Sequence, residues 1–559
     1  LLAACGVCLI VAACSNPEAT KARHLEQGKA HMAAGRVEDA ILEFRNALKI
    51  DQRYGEARYE LAKAFEQTGN PNAAREYVRA AELLPENLDA QLKAGTILLA
   101  QREFELARKH ADLALKIDPT SVEAQIIRAY TLAGLKDMEG AIAELERASE
   151  SAPGDYRPYA GLGAVEAASG DMEAAEAAFR KAVDADPKSV PARLALAYFY
   201  WSVQKAAEAE RTINEVIAED QNNVAANRLL ALVYAATGRA SEAETPLLRL
   251  VNQKDMRAVL VLGDLYVGTN RPDRARQMYE KLREEQATRE MGVARLAGLD
   301  FRAGRKTDAY AAVDQQLADT PRSVPLLTLK TQMLLADNRR EEALETARKV
   351  AEIAPESSQA QFILGVAEAA NRNTDAALAA QKEALRLDPN NAAAQLELSR
   401  LMLATGQTDE GLQLAQSAKK AAPQSALTHI NVVRALLQKG DLRQAETDVK
   451  SLLQQLPNSS TVHALHGRIL LAKSDVPGAT RAFDRALELN ATDVEAIAGR
   501  VAIDLSKKRP QDGRARIESA LAKAPDNPAL LLTAAQLERV DGKYDAAERY
   551  LRKAIEVDP

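Results

Sequence analysis

The chain has 559 residues, 27% of them charged, with both signs mixed and a net charge of only −6. That balance excludes the basic field expected of a nucleic-acid binder, and no segment after residue 20 holds the roughly 18 apolar residues that a spanning helix needs. Its three cysteines, Cys5, Cys8 and Cys14, lie in the first fourteen residues, so neither disulfides nor thiolate metal sites hold the remainder together.

Residues 1–13, LLAACGVCLIVAA, form an apolar run too short to span a bilayer and of the right length for a signal-peptide core. The run opens without methionine or basic residues, and the sequence is therefore read as N-terminally incomplete. Val11, Ala12, Ala13 and Cys14 resemble the lipobox of bacterial lipoproteins, which implies a diacylglyceryl group on the Cys14 sulfur. The alternative is an ordinary secretory signal that merely contains cysteine. Ser15, standing where an aspartate would retain a lipoprotein at the inner membrane, implies by resemblance to enteric lipoproteins the outer membrane, facing the periplasm. Residues 14–20 are then the lipidated cysteine and a short tether, with the first repeat close to the membrane surface.

From Lys21 the chain repeats itself. The clearest unit is residues 157–187, RPYAGLGAVEAASGDMEAAEAAFRKAVDADP. Its spacing predicts one helix ending at Gly170, where a left-handed residue without a Cβ suits a helix terminus. A second helix runs from Ala174 to Val183 and stops before Pro187, which cannot continue it. Gly163, Ala175 and Ala182 let two backbones approach, and Phe179 fills the space beside them. The small residue of Ala175 recurs at 40, 74, 107, 141, 175, 209, 243, 275, 309, 343, 377, 411, 445, 479, 513 and 547, in steps of 34 except for one of 33 and one of 32. Glycine closes the first helix at Gly35, Gly69, Gly170, Gly238, Gly304, Gly406, Gly440 and Gly542.

This period and pattern resemble the tetratricopeptide (TPR) repeat family over roughly residues 21–559. The resemblance implies an all-α, right-handed superhelical solenoid of about sixteen helix-turn-helix repeats. No Ser-, Gly- or Pro-rich stretch divides it, so 21–559 is read as one continuous array. Val216, Leu250, Leu282 and Gln316 replace the small residue of Ala182 in the middle, and the period shortens to 32 between residues 243 and 275. An irregularity is expected near 250–275: an altered stacking angle around Lys254, or a tighter turn alone. The last repeat closes at Pro559 with no polar cap behind it. Solenoids need such caps, so the chain is read as truncated there, with Arg549, Arg552 and Lys553 as a crude cap in the other case.

No motif carries chemistry. His463 and His466 stand three apart on one helix, without a third ligand near in sequence. His429 and His463 fall where the family often has a packing tryptophan, which points to a core role. No phosphate loop, GxSxG or HExxH occurs, and the chain is read as non-enzymatic, without cofactor or metal. By the resemblance, first helices line a concave groove, and residues one and four after the Gly163 position face into it. That places Tyr130, Tyr198 and Trp201 on the groove, with Phe199 and Tyr200 beside them. Arg400, Arg434 and Arg468, spaced by 34, form a row suited to an acidic segment of a partner protein. The paired lysine and asparagine clamp of chaperone-binding relatives is absent. Together these features imply a lipid-anchored scaffold of the bacterial cell envelope that binds proteins or peptides. The whole-chain pattern is similar to TPR lipoproteins associated with exosortase and exopolysaccharide systems, which points to polysaccharide or protein export and assembly. The alternative is a recruiting arm of an enzyme, for example a glycosyltransferase, whose catalytic domain lies beyond residue 559.

Overall fold

Asp155 begins the 157–187 unit by accepting a hydrogen bond from the Arg157 amide, and the helix Tyr156–Ser169 follows. At Gly170 φ is +98°, and the Gly170 and Asp171 amides both donate to Glu166 O at 3.0 Å. That bifurcated closure satisfies carbonyls the helix leaves open, and it needs a left-handed residue. Asp171 then caps the helix Met172–Ala185 through the Ala174 amide at 2.9 Å. Pro187 stands two residues beyond the end of that helix, where the chain turns to start again. The predicted hairpin is thus present, with each helix slightly longer than the spacing indicated.

In the computed structural model, which describes residues 16–558, this hairpin occurs sixteen times, as 32 helices from Pro17–Ala33 to Tyr544–Val557. Among the described residues there is no strand. Every hairpin turn has one residue of positive φ: the eight glycines named above, and Arg102, Lys136, Gln204, Asn270, Asn338, Arg372, Ser474 and Lys508 in the others. The non-glycine residues adopt the left-handed conformation at a cost of roughly 1–2 kcal/mol each, which the packed helices on either side offset. No helix among the described residues is long and apolar enough to cross a membrane.

The core follows the small residues. Ala175 and Ala182 are fully buried, and a Cβ placed on Gly163 would stand 2.6 Å from the Phe179 ring. The aromatic ring therefore occupies the volume that glycine vacates. Two compact units are distinguished, one reaching Met278 and one starting at Tyr279. In the second, the last helix leaves Leu551 and Ile555 43% and 63% exposed, although Ile517, one repeat before Leu551, is buried. Arg552 and Lys553 of that helix pair with Glu548 and Asp526.

Near Lys254 the structure has a tighter turn. Lys254 has φ +61°, its amide donates to Val251 O and the Asp255 amide donates to Leu250 O at 3.1 Å. The turn between these two repeats is thus built like a turn within a repeat. The preceding helix is shortened to Glu244–Asn252, and Val216, Leu250 and Leu282, which replace small residues, are all fully buried.

A second device tightens the same region. Tyr200 donates to Glu176, Tyr234 to Glu210 and Tyr266 to Glu244, at 3.2, 2.9 and 2.8 Å, each joining one hairpin to the next. Lys205, Arg239 and Arg271 complete the sets by pairing with the carboxylate while lying over the tyrosine ring. The tyrosine follows its glutamate by 24, 24 and 22 residues, which locates the two missing residues of the short period in the turn at Lys254. Burial and the adjacent glutamate push the Tyr234 phenol up to about 12. The cations hold all three glutamates below the ordinary carboxylate range, the Lys205 and Arg239 hydrogen bonds being the largest cause for Glu176 and Glu210 and Arg271 for Glu244. Because their folded values are depressed, these groups contribute stability above the unfolded glutamate value of about 4.3, and it is lost as pH falls through the folded values. Hydrogen-exchange protection in the sixth and seventh hairpins is expected to fall as pH drops below about 4.3, and to fall less in Glu210→Gln. An equal fall in both proteins would remove the ladder from the account.

Candidate functional site

The residues named from the sequence divide into two groups. In the first unit, Tyr130 lies on the helix Val122–Gly134 and is half-buried, with Leu145 and Val165 in the same cluster. Leu145 and, less closely, the Tyr130 hydroxyl occupy the space where Gly161 lacks a side chain, and burial raises the Tyr130 phenol. Trp201, near the end of the helix Val190–Ser202, packs against the clusters around Ile213 and around Phe199. Phe199 and Tyr200, beside the groove positions in sequence, are buried. Both Tyr130 and Trp201 thus commit much of their rings to holding adjacent hairpins together. Tyr198 is different: half of its surface is exposed. Leu232, one repeat later, is 49% exposed. Cys14 lies outside the described residues.

In the second unit the structure brings the three arginines together. Arg400 sits on the helix Ala392–Ala404, Arg434 on Ala426–Lys439 and Arg468 on Ser460–Ala472, and each of these first helices touches the next. The three side chains, with Leu403, Asn431 and Gln438, line one open cavity of about 380 Å³. Their exposures are 61%, 44% and 48%. The floor is fixed by hydrogen bonds: buried Asn431 donates to Ser399 Oγ at 2.8 Å, Ser399 donates to Gly411 O, and Gln438 donates to Leu403 O. Arg400 pairs with Glu397, three residues before it on the same helix, at 3.1 Å. Arg434 and Arg468 share a carboxylate that the sequence did not reveal. Glu495, on the helix Val494–Ser506, lies 3.4 Å from Arg434 and hydrogen-bonds to Arg468. The lining thus presents three guanidiniums, whose two carboxylate partners, Glu397 and Glu495, stand outside it. A guanidinium carries five N–H donors, so these pairs leave most of the donor capacity free. The arrangement can hold carboxylates. It has no nucleophile and base in contact, and among the described residues no group of three metal-ligating side chains occurs.

The histidines take a role other than core filling. His429 and His463 are half-buried, and each Nε2–H donates to the carbonyl six residues earlier, Pro423 O at 2.8 Å and Pro457 O at 2.9 Å. Gln361 and Gln395 do the same to Pro355 and Pro389. The position is a side-chain donor that closes the loop between repeats, and the expectation of a buried packing ring is corrected accordingly.

Helical hairpins stacked within each unit, with small residues in register and charged and aromatic side chains on successive first helices, define a helical repeat protein. Two family models, each described as Tetratricopeptide repeat, match it, one at residues 166–233 and 368–430, the other at 25–87, 71–122, 92–156, 128–190, 333–392, 433–494 and 499–559. These segments cover more than half of the chain, which belongs to the tetratricopeptide repeat family. Anaphase-promoting complex subunit 3 of Schizosaccharomyces pombe is 31% identical over 140 residues, 25% of this chain and 21% of that protein. The chain thus matches about a fifth of that relative's length. Among solved structures, the APC/C hetero-tetramer Cut9-Hcn1 is similar at 16% identity and TM-score 0.47, covering 96% of both chains. Yeast Tom70 is similar at 15% identity and TM-score 0.41, over 76% of this chain and 97% of that one. Proteins of this family bind protein or peptide partners.

Proposed function

We propose that the chain is a non-enzymatic scaffold, anchored by lipid at Cys14 to the periplasmic face of a bacterial outer membrane, which binds acidic protein segments along the arginine wall. One observation carries the binding reading: the cavity that gathers Arg400, Arg434 and Arg468 over a floor of fixed amides. The anchor rests on the match of Val11 to Cys14 to a lipobox. A role in polysaccharide or protein export rests on the likeness of the whole repeat pattern to TPR lipoproteins of such systems.

Hexaglutamate tests the wall. Changing all three arginines to alanine removes three half-exposed ion pairs, each contributing about 0.2–1 kcal/mol. Affinity is then expected to fall roughly three- to 150-fold, and the remaining binding to lose most of its salt dependence. Unchanged affinity and salt slope, with helicity intact by circular dichroism, would move attention to Tyr198. For the anchor, fatty-acid labelling of the membrane fraction is expected to be lost in Cys14→Ser. Label retained by that variant would exclude the anchor.

A further inference from the structure

Glu495 is placed as a bound partner's carboxylate would be. It comes from the helix Val494–Ser506, 27 residues beyond Arg468 and 61 beyond Arg434, and it offers one oxygen to each of them. Arg400 has only its same-helix neighbour, an exposed pair at 3.1 Å. We propose that Glu495 is an intramolecular competitor: in the free protein it occupies the Arg434 and Arg468 pair, and an acidic peptide binds by displacing it. The proposal rests on the reading of the arginine wall as the partner site.

Three features make the displacement feasible. The contact to Arg434 is loose, at 3.4 Å, and both arginines are about half exposed. Glu495 stands in the first turn of its helix, two residues after the cap residue Asp493. A carboxylate there remains stabilised by the helix N-terminus after it leaves the arginines, so release does not strand a charge. The floor does not need to move, because Asn431 and Gln438 are held by bonds that do not involve Glu495.

The geometry also specifies the ligand. Neighbouring helices stand about 8–10 Å apart, and a chain extended as polyproline II rises about 3.1 Å per residue with three residues per turn, so side chains three residues apart lie on one face and match guanidiniums on successive helices. The fit is an extended peptide with acidic residues at i and i+3: one at Arg400, the next replacing Glu495 at Arg434 and Arg468. Leu403 and the carboxamides of Asn431 and Gln438 give the intervening backbone apolar and amide contacts of the kind a peptide offers.

The test uses fluorescein-labelled hexaglutamate with the whole chain at low salt, in wild type, Glu495→Gln, Arg434→Ala/Arg468→Ala, and the triple combination. Glu495→Gln is expected to bind about three- to tenfold more tightly. The double arginine variant is expected to lose most of its affinity, and adding Glu495→Gln to it should restore nothing. Thermal melts check that Glu495→Gln folds, and Glu495→Ala is a second route to the same vacancy. If the arginine variant weakens binding while neither Glu495 variant strengthens it, the competitor is refuted and the partner site stands. If the arginine variant binds as wild type does, both fall. Tighter binding of polygalacturonate than of hexaglutamate at matched charge would overturn the peptide as ligand.

Discussion

Phe483→Ala is expected to destabilise the second unit by about 3–5 kcal/mol, near the top of the range for a core aromatic. The ring is fully buried, and two glycines face it: a Cβ on Gly467 would stand 2.6 Å from it, and one on Gly499 2.2 Å. Glycine has no side chain with which to refill the vacated space, so the cavity persists. Because repeats bury surface mainly against their neighbours, the damage should remain local. Hydrogen exchange is expected to accelerate first across the helices Ser460–Ala472, Val476–Leu489 and Val494–Ser506. A loss under about 1 kcal/mol, or uniform loosening from the first hairpin to the last, would contradict this packing.

Arg514→Ala is expected to cost a similar amount for a different reason. Arg514 makes a two-point pair with Glu538 at 2.6 and 2.7 Å and also reaches Asp541 at 2.8 Å. The Glu538 side chain is only 5% exposed. Removing the guanidinium leaves a buried carboxylate without its partner, which costs about 3–5 kcal/mol where the pair is buried. The Arg514 hydrogen bond is the main reason that Glu538 and Asp541 titrate below the usual carboxylate range. Depressed folded values mean that the pair's contribution is complete above about pH 4.3 and is lost as pH falls through them. The gap in stability between wild type and variant is therefore expected to narrow on acidification in urea titrations. Replacing Arg514 and Glu538 together by methionine should recover most of the loss, since no unpartnered charge then remains at Glu538. A double variant as unstable as Arg514→Ala would show that the effect is packing and not charge.

Arg514 and Glu538 occupy the positions that Glu210 and Tyr234 hold in earlier repeats, with the same separation of 24 residues. The polarity is reversed: a cation on the second helix and a carboxylate on the next first helix. A linear reading does not connect these pairs, because nothing local distinguishes Glu210 from any exposed helical glutamate. Only the stacking of one hairpin on the next shows that this position is a joint.

The amino-acid sequence by itself determined the hairpin and its number. Small residues at a period of 34, glycines at left-handed turns and terminal prolines are local constraints on backbone conformation and on how closely two helices approach. They were therefore legible without coordinates, as was the 34-residue spacing of Arg400, Arg434 and Arg468. Non-glycine residues at the other eight turns were not legible, because packing on either side imposes a conformation their own preferences oppose. Nor was the Lys254 turn distinguishable from a change of stacking angle, since both shorten the period. Tyr130 and Trp201 read as groove residues from their register, yet they spend much of their surface on neighbouring repeats, which depends on the size of side chains far away in sequence. Glu495 was legible least of all. It meets Arg434 across 61 residues, and an ion pair between exposed side chains leaves no trace in composition or periodicity. Tertiary structure alone decides which carboxylate a guanidinium meets, because that depends on where two separate helices end up in space and not on the chain between them.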